Sequence, residues 1–82
     1  MSKTKLNEIE ILWYYKNLDV LEKLVAQALD SWNRRKETKD HIPEFLILHP
    51  STKIDKESIE GLEIKFEHTV QKGHFKIRGT IY

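Results

Sequence analysis

The chain has 82 residues, 33% of them charged and 39% hydrophobic, with 14 Lys and Arg against 13 Asp and Glu. That length allows one domain, residues 1–82, with a thin core: size scaling buries about 64% of the unfolded surface. The net charge of +1 excludes a general electrostatic pull on nucleic acid or acidic lipid, and the absence of cysteine excludes a disulfide framework, a thiolate zinc site and a cysteine nucleophile.

The longest apolar run, Ile11 to Tyr15, is far below the ~20 residues of a membrane span. Ser2-Lys3-Thr4-Lys5 followed by acids has no export pattern. A cytoplasmic protein with no membrane partner is therefore expected. Residues 1–40 hold neither Gly nor Pro, while Gly61, Gly73 and Gly79 all fall near the end, an asymmetry that predicts helix first and strands later.

Residues 5–16 carry two patterns. Glu8-Ile9-Glu10-Ile11 alternates like a strand, and the aromatics after it suit one. Against this, Ile11, Tyr14, Leu18, Leu21, Val25, Ala28 and Trp32 form a heptad seam running through Asn17 without a break, and this register favours helix. A single helix from Lys5 to Lys36 would be about 48 Å long, more than a small sheet can cover, and would imply self-association.

Residues 18–36 are the main helix. Leu18, Leu21, Val25, Ala28, Leu29 and Trp32 make one apolar stripe. Asn17 or Asp19 can cap its start, Asp30 precedes Arg34 by four residues, and Arg34, Arg35 and Lys36 suit the negative end of the helix dipole.

Residues 44–49 read as a strand whose continuous run Phe45-Leu46-Ile47-Leu48 asks for burial on both faces. Asp55 to Glu60 could form a helical turn closed by Gly61. Residues 62–71 and 74–82 alternate with period two and predict a hairpin turning at Lys72-Gly73. Its register would set Val70 opposite Phe75, His68 opposite Ile77, Phe66 opposite Gly79 and Ile64 opposite Ile81. Together these elements predict a two-layer α+β domain, with a helical N-terminal half packed on a three-stranded antiparallel sheet.

Chemistry-bearing patterns are sparse. The four histidines include no helical His-x-x-x-His pair, so neither a metal nor another cofactor is expected. His49-Pro50-Ser51 places a ring near a hydroxyl without the third member of a triad, no serine sits in a nucleophile elbow, and no glycine-rich phosphate loop exists. The expectation is a non-catalytic protein. Trp13, Tyr14 and Tyr15 are adjacent, so they cannot all face one core, and at least one ring must be exposed or meet a partner. With Trp32 on the helix seam, they mark the candidate surface for a protein partner or a second copy in a homodimer. The alternative is nucleic-acid binding through Arg34, Arg35 and Lys36 at the helix end and Lys76 and Arg78 on the outer sheet face.

Overall fold

A computed structural model describes residues Glu8–Ile81 as an α+β fold: one helix on one face of a five-stranded mixed sheet. The strands are β1 (Glu8–Tyr14), β2 (Ile42–Leu48), β3 (Ser58–Ile59), β4 (Leu62–Phe66) and β5 (His74–Thr80). A 3-10 turn over Leu18–Val20 leads into helix α1 (Leu21–Arg34). The sheet order is β1-β5-β2-β4-β3. β5 is antiparallel to both its neighbours, β2 and β4 are parallel, and β3 closes the far edge against β4.

The helix forms on its predicted stripe but is shorter than the expected 18–36: residues 18–20 make a 3-10 turn with Leu18 exposed, the α-helix runs Leu21–Arg34, and Arg35 and Lys36 lie past its last turn. Leu21, Val25, Ala28 and Trp32 are buried, Asn17 Oδ1 accepts the Asp19 N–H at 3.0 Å, and Arg34 pairs with Asp30 at 3.0 Å on the solvent side. The stripe packs on Leu46, Leu48, Ile59, Leu62, Phe75 and Ile77, with Ile9, Ile11 and Trp13 of β1 half-buried at the margin.

Four expectations about the strands are corrected. Residues 8–14 are strand, not helix. The β-favouring alternation of Glu8 to Ile11 wins over the heptad seam, because a strand buries Ile9, Ile11 and Trp13 along β5, whereas α1 alone already covers the sheet; residues 5–7 lie outside the described residues.

The last two strands form no hairpin, and Lys72-Gly73 is not its turn. β2 lies between β4 and β5, so none of the four predicted cross-strand pairs exists. The apolar run of β2 is the reason. Leu46 and Leu48 face the helix and Ile47 faces the other side, yet all three are 0% exposed, which only an interior strand achieves. Residues 67–73 then cross the end of β2, where the Glu67 N–H donates to the Leu48 carbonyl at 2.9 Å.

The expected helical turn at 55–60 is replaced by a tight β3–β4 hairpin. Glu60 (φ 53°) and Gly61 (φ 82°) both occupy the left-handed region, the signature of a type I′ turn. The predicted three-stranded antiparallel sheet is thus a five-stranded mixed one. No helix among the described residues is long and apolar enough to cross a membrane.

Candidate functional site

β1 is the exposed edge of the sheet. The Tyr15 N–H donates to the Gly73 carbonyl at 2.8 Å, on the same register as Trp13 with Phe75 and Ile11 with Ile77. In an antiparallel ladder, hydrogen-bonded and non-hydrogen-bonded residues alternate. Ile9, Ile11 and Trp13 therefore bond inward to β5. Glu8, Glu10, Leu12 and Tyr14 point their backbone N–H and C=O groups outward, where no strand of the described residues meets them.

An apolar groove runs beside this edge. A cleft of ≈ 510 Å³ is lined by Tyr14, Tyr15, Val20 and Leu24 together with Lys16 and Lys23. An adjoining one of ≈ 220 Å³ lies among Trp13, Tyr14, Leu24, Gln27, Ala28 and Phe75. Its walls are the end of β1 and the flank of α1, and the chain between them turns at the Asn17 cap. Leu12 (54% exposed) and Tyr14 (70%) continue the apolar surface onto the sheet face that α1 leaves open.

The three adjacent aromatics divide as strand geometry requires. Trp13 stacks on Phe75 with ring centroids 5.8 Å apart, and Tyr15 meets the same ring at 6.3 Å. Tyr14 points the other way, towards His74 at 6.2 Å. The guanidinium of Arg35 sits 5.8 Å over the Trp13 ring and donates to Ser31 Oγ at 3.4 Å. Trp32 lies apart from this surface. It is 1% exposed, with its indole N–H donating to the His41 carbonyl at 3.2 Å.

The open sheet face is neutralised by an ion-pair lattice. Lys76 and Arg78 on β5 both reach Glu10 on β1, and Arg78 also holds Glu67 at 3.0 Å. Burial raises the Glu10 carboxyl, but the hydrogen bonds and charges of Lys76 and Arg78 outweigh it and hold Glu10 below the usual carboxylate range. The Arg78 hydrogen bond is the main cause of the same shift at Glu67, aided by Thr69. Burial pulls the Arg78 guanidinium down, and its two carboxylate partners more than reverse that. Beneath this lattice Ile47 is sealed, flanked in register by Lys76 and Lys65, whose long stems suit apolar cover.

The two predicted basic clusters do not merge into one field. Arg34 answers Asp30, Arg35 lies 3.6 Å from Glu37, and Lys36 is exposed beyond the helix end. Lys76 and Arg78 lie on the far face of the sheet, within the lattice. His49 and His68 meet edge to face at 5.6 Å, and the His49 ring shares a turn with Ser51. Among the described residues the His49 ring has hydrogen bonds to Ser51 and none to a carboxylate, and no group of three metal-binding side chains converges. A third cleft, beside β3 and β4, is lined by Lys56, Glu57, Ser58 and Glu63 together with the half-exposed Phe66.

The residues that sequence reasoning missed are Leu12, Val20 and Leu24. A partial signal is present: Leu12 falls in the polar phase of the Glu8–Ile11 alternation, an apolar side chain on the face opposite the core, and Val20 and Leu24 sit one turn apart on the flank of the apolar stripe. No family model matches the chain, and comparisons with curated proteins and with solved structures return no match either.

Proposed function

We propose that this is a small non-catalytic docking protein that receives an extended protein segment along the outer edge of β1. The observation that carries the proposal is the coincidence of two features on one line: four outward-facing backbone donor–acceptor sets at Glu8, Glu10, Leu12 and Tyr14, and an apolar groove between Tyr14, Tyr15 and the Val20–Leu24 flank of α1. Strand addition uses both. Main-chain bonds supply affinity, and alternate side chains drop into a groove that selects them. Natural edge strands are ordinarily blunted by charge, proline or brevity. β1 has seven residues, and of its two acids Glu10 is already tied down by Lys76 and Arg78. The lattice that occupies Lys76 and Arg78 also weakens the field the nucleic-acid alternative relies on.

Leu12→Pro tests the reading. The Leu12 N–H faces outward, so proline there removes an edge donor without removing a bond to β5. A displayed library of eight-residue random peptides, panned on the wild-type chain, should return alternating apolar sequences that lose at least tenfold affinity for L12P. Peptides that bind both chains equally, or a monomeric chain that binds none at all, would sink the docking edge.

A further inference from the structure

We infer that the segment received by β1 is the β1 strand of a second copy, joined antiparallel about a two-fold axis with Ile11 opposite Ile11 of the partner. The inference rests on β1 being the docking edge and names its occupant.

Geometry narrows the pairing sharply. Only Glu8, Glu10, Leu12 and Tyr14 offer outward hydrogen bonds, so these must pair among themselves, and every register that sets an even-numbered residue against an odd one is unbonded. Of the remaining registers, one with Glu10 opposite Glu10 places like charges face to face. One with Leu12 opposite Leu12 shortens the overlap, because it asks Glu8 and Ile9 to pair with residues beyond the end of the strand at Tyr14. The register centred on Ile11 uses all seven strand residues.

In that register the sequence of β1 complements itself. On the helix side, Ile9 meets Trp13 and Ile11 meets Ile11, giving an uninterrupted apolar row across the junction. On the open face, Glu8 meets Tyr14 and Glu10 meets Leu12, so no acid faces an acid. Glu10 keeps its own Lys76 and Arg78, and the lattice of each copy stays intact. The half-exposed margin of the core at Ile9, Ile11 and Trp13 becomes interior, and the two sheets become one ten-stranded sheet with only the two-residue β3 at either end.

The test is molar mass by light scattering together with two single-cysteine variants, each unambiguous because the chain has no native cysteine. Ile11→Cys places two sulfurs across a non-hydrogen-bonded pair, where Cα atoms stand about 4.5 Å apart, within reach of a disulfide. Leu12→Cys faces Glu10 of the other copy, and its like residue lies a diagonal step of about 7–8 Å away, too far to bridge. The expected result is a mass about twice 9.8 kDa, rapid covalent dimer from I11C on mild oxidation, little from L12C, and return to monomer in L12P. Cross-linking of L12C in preference to I11C overturns the register. A monomer at all concentrations up to about 0.5 mM, with neither variant cross-linking, overturns the homodimer. In that event, peptides that still bind in an L12P-sensitive way leave the docking edge standing, and a monomer that binds none removes both. Should L12P fail to fold, the two cysteine variants decide the matter alone.

Discussion

The indole of Trp32 fills the space that a side chain at Gly79 would need. A Cβ built there would overlap the Trp32 ring and stand 2.8 Å from the Ile42 carbonyl oxygen. Neither obstacle moves easily, since the ring is 1% exposed and tethered through its N–H, and the carbonyl belongs to β2. Overpacking of this kind costs about 1–3 kcal/mol. Gly79→Ala should therefore lower the melting temperature by roughly 10 °C, read by circular dichroism. An unchanged melting temperature would show that α1 lies further from β5.

Thr38 secures the end of the same helix. Its hydroxyl, almost fully buried, donates to the Trp32 carbonyl at 2.5 Å, which it shares with the longer 3.3 Å bond from the Arg35 N–H at the helix end. Thr38→Val keeps the shape and removes the donor, leaving the Trp32 carbonyl with only the longer Arg35 bond. A loss of about 1 kcal/mol in urea unfolding is expected, with the slope of the transition unchanged.

The lattice on the open face makes acid stability predictable in sign. Glu10 and Glu67 have carboxyls held below their ordinary value of 4.5, so the folded chain binds their protons less readily than the unfolded one. Their contribution is complete above pH 4.5 and drains away as pH falls through the lowered folded values. Glu10→Gln removes one share of it. The gap in melting temperature between wild type and E10Q should be widest near neutrality and narrow steadily below about pH 4. A gap independent of pH would mean that Glu10 contributes through shape rather than charge.

Trp13 and Tyr14 are neighbours with opposite duties, and paired variants separate them. Trp13→Ala removes a ring stacked on Phe75 and should destabilise by about 3 kcal/mol. Tyr14→Ala removes a ring that is 70% exposed and should shift the melting temperature by no more than about 2 °C while weakening association through β1 at least fivefold. Equal effects of the two variants on folding would contradict the assignment of Tyr14 to the docking surface.

Glu60 is the least comfortable residue of the β3–β4 turn. At φ 53° it occupies a region that asparagine tolerates better, and Asn-Gly is the preferred pair for a type I′ hairpin. Glu60→Asn should raise stability by roughly 0.5 kcal/mol in chemical denaturation, whereas Gly61→Ala, at φ 82°, should lower it by about 1 kcal/mol.

The local signals in the sequence were sound wherever one element explained them. The α1 stripe, the Asn17 cap and the apolar run of β2 are all seen where periodicity places them. What periodicity does not carry is the order of strands. Residues 74–80 alternate in burial as expected, whereas the strand expected over 62–71 stops at Phe66 and leaves that ring exposed; sequence alternation of this kind is equally compatible with a hairpin or with two strands having β2 between them. The deciding fact, Ile47 buried on the open face, depends on the long side chains of strands distant in sequence. Likewise, the heptad seam through Asn17 is a coincidence of spacing: Ile11 faces the helix, Tyr14 faces the open side and Leu18 is exposed in the 3-10 turn, so only its members from Leu21 onward share one buried stripe. Of the candidate surface, the Trp13–Tyr15 cluster was visible as three rings that no single core can take. The wall supplied by Val20 and Leu24 needed the chain to fold back on itself, and the position of Trp32 against Gly79 could be read only from the packed layers.

The last strand is not at the rim of the sheet but one place in from it. β5 joins β1 to β2, and the contact from Glu10 to Arg78 spans 68 positions of the chain. On a ribosome, β1 and the groove beside it emerge early and wait with their apolar faces unmatched until residue 80 has left the exit tunnel. Loops of that length close slowly, and an aromatic strand left open invites misplaced neighbours. A stalled chain lacking residues 74–80 would thus carry every other element of the fold and still be unable to connect β1 to the rest of the sheet.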